Sequence, residues 1–239
     1  MTSFTAPLAR VDHAAARTRL LTIDVSGHSF EYLAGQAVMM GAHGAAARRP
    51  FSIACSPERA AETRTLELLI ALEGGSEDLG WAQAGALVDL EGPLGTFTFP
   101  ASLAQSRLLF VAGGTGIAPV RAMLDHALRR HPAEKISLLY STRRSDEFAF
   151  VEELRMHERA GRLELHQTVT RDDGTSWDGR RGRISRSHFE VVLHEPASTL
   201  CFVCGPPSLV SESAATLSEL GVPSALIRTE GWGKSVSTG

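Results

Sequence analysis

The chain has 239 residues, enough for one large domain or two small ones, and its 43% hydrophobic and 21% charged content supports a packed core and argues against disorder. A formal net charge of −3 argues against a general nucleic-acid or polyanion binder. No apolar run approaches the ~20 residues of a membrane span, and Met1–Ala9 lacks the basic and long apolar stretches of a secretory signal, so the expectation is a cytoplasmic protein with no membrane partner.

The first hundred or so residues read as β-rich. Arg19–Val25, Gln36–Met40, Phe51–Ala54, Leu66–Ala71 and Leu87–Glu91 are short strand-like runs, punctuated by Gly27, Gly35, Pro57, Gly74, Gly75, Gly85, Gly92 and Gly95. Short strands with turn signals at this spacing predict a small antiparallel barrel. Ala42–Ala47 reads as a flexible loop. One residue beyond it comes Arg49-Pro50-Phe51-Ser52, a cation, a flat ring and a small hydroxyl on one strand. An arginine fork binds phosphate, an aromatic face stacks on a planar heterocycle, and a hydroxyl both donates and accepts, which suits a ring nitrogen that gains and loses a proton. In isolation the same four residues also describe an ordinary strand edge, so the weight falls on the motifs downstream in the chain.

The pattern changes after Pro100, and the boundary is expected within Ala101–Ser106. The expected strands are Leu108–Ala112, Lys135–Tyr140, Leu163–Val169, Leu200–Cys204 and Ala225–Ile227. They alternate with expected helices at Val120–Arg130, Phe150–Arg159, Ser185–Val191 and Leu209–Leu220. Such alternation implies βαβ units and a parallel sheet; if its order is 3-2-1-4-5, the first and fourth strands flank the point where the order reverses.

Gly113-Gly114-Thr115-Gly116-Ile117-Ala118-Pro119 joins the first of these strands to its helix. Glycines there let the backbone approach a pyrophosphate, the helix N-terminus favours its charge, and Pro119 suits a first helical turn. The same pattern also fits a tight turn in any α/β domain. Cys204-Gly205-Pro206-Pro207 ends the fourth strand, across the crevice from Gly114 in that strand order. Arg143 lies just past the second strand and Thr170-Arg171 just past the third, with Arg180 and Arg183 close behind. Cations there would select a 2′-phosphate on a dinucleotide.

The chain has three cysteines and nine histidines. Cys201 and Cys204 lie three apart on a strand and so face opposite ways, and no histidine pairing suggests zinc; no metal site is expected.

Six motifs thus succeed one another: Arg49-Pro50-Phe51-Ser52, Gly74-Gly75-Ser76, Gly92-Pro93-Leu94-Gly95, Gly113–Pro119, Cys204–Pro207 and Glu230-Gly231-Trp232. In this order, across nearly the whole chain, they resemble the ferredoxin–NADP reductase family of flavoproteins. The resemblance implies two domains. Residues 1–102 would be an antiparallel β-barrel that binds FAD. Residues 103–239 would be a Rossmann-like parallel-sheet NAD(P)-binding domain whose C-terminal tail reaches the flavin.

By resemblance, Arg49 would hold the flavin pyrophosphate, Phe51 would stack on the isoalloxazine and Ser52 would face its N5. Gly74, Gly75 and Ser76 would serve the same pyrophosphate, and Gly114, Thr115, Gly116 and Pro119 would form the nucleotide turn. Cys204, with Gly205 and Pro206, would lie beside the nicotinamide; Glu230 would support that arrangement or relay protons; Trp232 would cover the other flavin face. Phe51 stands where the family usually has tyrosine, and Gly74-Gly75-Ser76 is shorter than the common form. Thr170-Arg171 resembles the Ser-Arg pair of NADPH-using members, so NADPH is favoured over NADH. The implied activity is hydride transfer between NADPH and FAD, with electrons passing to a separate iron–sulfur acceptor such as a ferredoxin. The alternatives are an NADH-dependent reductase component serving an oxygenase, an electron-transfer flavin subunit of a larger dehydrogenase, and a non-catalytic nucleotide-binding module.

Overall fold

The computed structural model describes residues 2–72, 79–132, 134–171 and 177–231. In the first half, strands β1 (Thr2–Ala15), β2 (Thr18–Asp24), β3 (Ala37–Ala42), β4 (Arg49–Ser52), β5 (Thr65–Ala71) and β6 (Leu87–Leu94) pair antiparallel in the order β4-β3-β6-β1-β2-β5. A bridge from Ile53, just past β4, to Leu68 in β5 joins the two outer strands and nearly closes a barrel. Leu21, Ile23, Val38, Leu68, Ile70, Val88 and Leu90 fill its interior. Each such side chain contributes about 1.5–3 kcal/mol relative to exposure.

Two elements of this half differ from the sequence reading. Strand β1 is 14 residues long, yet only Ala6 and Leu8 within it are buried, so it carries little alternation to read. Its first part pairs with β6 and its second with β2, and Pro7 sits at the changeover, where a missing N–H is tolerated. The second is helix α1 (Pro57–Thr63), whose seven residues are too few to display a helical period. Its start is well signalled: Ser56 caps it by accepting from the Arg59 N–H at 3.1 Å, and Pro57 comes next.

The second half contains β7 (Arg107–Gly113), α2 (Ile117–Arg130), β8 (Lys135–Thr142), α3 (Val151–Arg159), β9 (Glu164–Val169), β10 (Arg180–Arg181), α4 (Arg186–Val192), β11 (Thr199–Gly205), α5 (Pro207–Glu219) and β12 (Ile227–Gly231). All the strands are parallel, in the order β10-β9-β8-β7-β11-β12. This is the 3-2-1-4-5 order with the short β10 added at one edge. The last strand lies later than expected. It runs to Gly231, because the ladder with β11 continues through Cys204↔Glu230 and Gly205↔Gly231.

Period two sorts the buried strand residues onto two faces. Phe110, Phe202 and Cys204 join a core with Val120, Met123 and Leu124 of α2. Val111, Cys201 and Val203 join another with Phe189 of α4 and Leu217 of α5. Cys201 and Cys204 therefore do face opposite ways. The first of these cores also includes Ala34, Ala54, Leu69, Phe97 and Phe99 from the barrel half, so barrel and sheet share apolar packing. Phe99 stacks on Phe202 with ring centroids 5.8 Å apart.

Candidate active site at the barrel–sheet junction

Strand order reverses between β7 and β11, and the C-terminal ends of the central strands open there onto a cleft of about 370 Å³. That location is where open α/β sheets bind ligands. Two glycines let the strand ends close on each other. A Cβ on Gly113 would lie 2.9 Å from Pro206 Cδ, and one on Gly116 would lie 2.4 Å from the Cys204 carbonyl oxygen. Gly114 has φ +54°, and its carbonyl accepts from the Tyr140 hydroxyl at 3.4 Å. Tyr140, 1% exposed, also accepts from the Ala149 N–H, so the turn is held from the neighbouring strand. Helix α2 begins directly after this turn, so its positive dipole end lies behind the cleft-lining Gly114 and Thr115.

Gly114, Thr115, Arg143, Thr170, Arg171, Arg183 and Pro206 line the cleft. Gly116, Pro119, Gly205, Cys204 and Arg180 do not. Gly116, Pro119 and Gly205 are buried in the packing of the turn. Arg180 belongs to edge strand β10, and its carbonyl accepts from Trp177 Nε1 at 2.8 Å. Cys204 is 1% exposed, and its thiol is directed at Glu230.

The barrel half contributes Arg17, Thr18, Leu69 and Ala71 to the same lining. Among the described residues the cleft gathers four arginines, at 17, 143, 171 and 183, against two glutamates, at 147 and 212. This donor set fits a phosphate-bearing nucleotide: a glycine turn, a helix N-terminus and a cationic rim. The hydroxyl of Thr170 meanwhile donates to the Thr142 carbonyl at 3.3 Å.

On β4, Arg49 and Pro50 are exposed while Phe51 and Ser52 are half-buried, with Phe51 resting against the barrel core. A cation, a partly open ring and a hydroxyl on four consecutive residues fit a flat ring that ends in phosphate. The loop before β4 is tethered to Asp89. That carboxylate accepts from Thr5 Oγ1 at 2.7 Å and the Gly44 N–H at 3.2 Å, shares a hydrogen bond with His43 at 2.8 Å, and pairs with Arg48 at 3.4 Å. The Thr5 and His43 hydrogen bonds hold Asp89 well below the usual carboxylate range.

Beside β12, Gly95, Thr96, Phe97, Arg228, Thr229 and Glu230 line a second hollow of about 490 Å³. Glu230 is half-buried in a strand rather than exposed on a tail. Gly74, Gly75, Ser76 and Trp232 lie outside the described residues. Among the described residues no group of three or more His, Cys, Asp or Glu side chains is placed to hold a metal ion. No helix there is long and apolar enough to cross a membrane.

Comparison with known proteins bears on this arrangement. The family model for the oxidoreductase NAD-binding domain matches residues 110–214. Over 217 residues the chain is 34% identical to ferredoxin–NADP reductase B of Sorangium cellulosum, covering 85% of this chain and 86% of that protein. The chain belongs to the ferredoxin–NADP reductase family. It is also 26% identical over 186 residues to the xylene/toluene monooxygenase electron transfer component XylA of Pseudomonas putida, covering 75% of this chain and 51% of that relative. Among solved structures, the ferredoxin reductase in carbazole 1,9a-dioxygenase superposes with a TM-score of 0.85 at 22% identity, over 97% of this chain and 70% of that one. At that identity the likeness shows the two-domain fold alone.

In this ferredoxin–NADP reductase family member, sequence reasoning missed Arg17, Thr18, Leu69, Ala71 and Tyr140 as cleft residues. None sits in a glycine or cation motif. Arg17 and Thr18 lie at the turn out of β1, the strand the sequence pattern conceals.

Proposed function

We propose that this family member is a flavin-dependent oxidoreductase that transfers hydride between NADPH and FAD and passes electrons to a separate iron–sulfur acceptor such as a ferredoxin. The observation that carries the reading is the cleft itself, where the Gly114–Thr115 turn meets Arg143, Thr170, Arg171 and Arg183. When bound, flavin and nicotinamide supply the redox chemistry, and the protein supplies binding, orientation and electrostatics.

In this reading Arg49 neutralises the flavin phosphate, Phe51 lies against the ring, and Ser52 offers its hydroxyl to a ring nitrogen. Backbone N–H groups at Gly114 and Thr115 hold the nucleotide pyrophosphate. Thr170 and Arg171, with Arg143 and Arg183, select the 2′-phosphate. Burial raises the pKa of Glu230, so this side chain retains a proton near the Cys204 sulfur at a higher pH than an ordinary glutamate would. Gly74, Gly75 and Ser76 keep the pyrophosphate role and Trp232 the ring-covering role that the family resemblance implies. The proposed flavin domain is 1–102, the proposed nucleotide domain 103–239, and the proposed location the cytoplasm.

The test is a visible spectrum of the purified protein after reconstitution with FAD, and then anaerobic titration with NADPH and with NADH. Flavin absorbance bleached at lower NADPH than NADH concentration supports the reading. A colourless protein overturns it. A second reading, an NADH-dependent reductase component serving an oxygenase, is favoured by the similarity to XylA. It predicts NADH preference and no loss of NADPH binding in Arg171→Ala.

A further inference from the structure

Arg121 lies on α2, just beyond the nucleotide turn, and is only 3% exposed. Its Nη1 donates to the Ala54 carbonyl at 2.8 Å and to Glu67 Oε2 at 2.5 Å. Its Nε and Nη2 donate to Glu153 Oε2 at 3.1 and 2.7 Å, and its guanidinium carbon lies 4.2 Å from the centre of the Phe150 ring. Ala54 is two residues past β4, Glu67 is in β5, and Glu153 is in α3. A single side chain therefore grips both halves of the molecule.

Asp125, one helical turn further along α2, repeats the pattern. It accepts from Ser56 Oγ at 2.6 Å and Arg59 Nε at 3.2 Å, and Ser56 is the cap of α1. Further along, Glu58 meets His126 at 3.0 Å and Glu62 meets Arg129 at 2.7 Å. Hydrogen bonds and ion pairs thus join α1 to α2 along their length. Helix α1 begins shortly after β4, and α2 begins directly after the Gly113–Gly116 turn. The two helices that leave the two proposed cofactor sites are clipped to each other.

The apolar core shared by the halves excludes water but has no directionality. A buried arginine seldom improves stability over well-packed apolar residues, whereas its directed bonds specify one arrangement. Displacements of about 1 Å at a reacting pair can cost on the order of a hundredfold in rate. We propose that Arg121 and Asp125 are positioning residues, forming an interdomain clip that sets the approach of strand β4 to the nucleotide turn. The catalytic consequence rests on the proposed transfer between those two sites; the geometric one does not.

The experiment uses FAD-reconstituted Arg121→Met and Arg121→Lys in the full chain. Nitroxide labels go on cysteines introduced at exposed Glu31 and Glu190, since the three native cysteines are buried. Electron–electron resonance should give a narrow distance distribution in the unsubstituted protein, a broad one in Arg121→Met and an intermediate one in Arg121→Lys. Flavin reduction at saturating NADPH should slow at least tenfold in Arg121→Met, with retained flavin and with 2′,5′-ADP affinity unchanged within twofold. Glu153→Gln, expected to show the same changes more weakly, serves if Arg121→Met does not fold. An unaltered distance distribution in folded variants overturns the clip. A parallel loss of 2′,5′-ADP affinity and rate, showing general loosening, overturns the positioning role. If the unsubstituted protein is not reduced by NADPH, the proposed function fails while the distance measurement still decides the clip.

Discussion

The Cys204 sulfur lies 3.9 Å from Glu230 Oε2, and the two residues face each other directly across the parallel pair β11–β12. Burial raises the pKa of both groups. The Glu230 charge pushes the thiol higher still, while the hydrogen bond from the thiol draws the carboxyl partly back.

Glu230 should therefore titrate above its ordinary value of 4.5. Because the folded protein binds this proton more tightly than the unfolded chain, the associated stability is present below pH 4.5 and is lost as pH rises through the higher folded value. Carbon-13 carboxyl shifts should place the Glu230 midpoint above 4.5, and Cys204→Ala, which removes the opposing hydrogen bond, should raise it further. A midpoint at or below 4.5 contradicts the assignment.

Arg171→Ala should weaken NADPH binding about tenfold to a hundredfold, the worth of a hydrogen bond to a charged group. NADH binding should change little, since no 2′-phosphate is present. Equilibrium titration with both nucleotides checks this.

Gly116→Ala should destabilise the fold by about 1–3 kcal/mol, the range for overpacking. Its φ of −59° suits any residue, so the glycine is needed for contact: a Cβ would meet the Cys204 carbonyl oxygen at 2.4 Å. Gly27→Ala, where a Cβ meets nothing within 4 Å, should stay within about 0.5 kcal/mol. Denaturant unfolding of both variants provides the comparison.

Asp125 should contribute to the acid limb. Burial alone would raise its pKa, but the Arg59 and Ser56 hydrogen bonds and the Arg59 charge outweigh burial and hold it at about 2, against an ordinary 3.8. The folded value is the lower one, so this stability is present above pH 3.8 and is lost as pH falls toward about 2. Asp125→Asn should lose roughly 2 kcal/mol at neutral pH and show a flatter decline between pH 4 and pH 2. Urea unfolding across that range would reveal an unchanged acid limb if the idea is wrong.

Much of the nucleotide half was legible because its signals are local. The glycine turn, the apolar runs of β7 and β11, and Arg143 and Thr170-Arg171 each declare themselves within a few residues, and alternation of strand and helix signals a parallel sheet. The barrel was harder to read. Strand β1 buries only Ala6 and Leu8 and changes partner at Pro7, so no single alternating pattern runs through it. The extended final strand was missed because its pairing with Cys204 and Gly205 is specified by its neighbour rather than by its own composition.

By itself the sequence determined the order of six motifs, the barrel-then-sheet architecture and the cations expected beside a phosphate, since these depend on residue type at short spacing. Only the tertiary structure decided that Cys204 turns from the cleft toward Glu230, that Arg17 joins the cleft from the barrel, and that α1 is clipped to α2. The α1–α2 clip joins residues such as Ser56 and Asp125, 69 positions apart in the chain. At such separations no periodicity links the partners, and they meet only because the packed core leaves the two helices side by side.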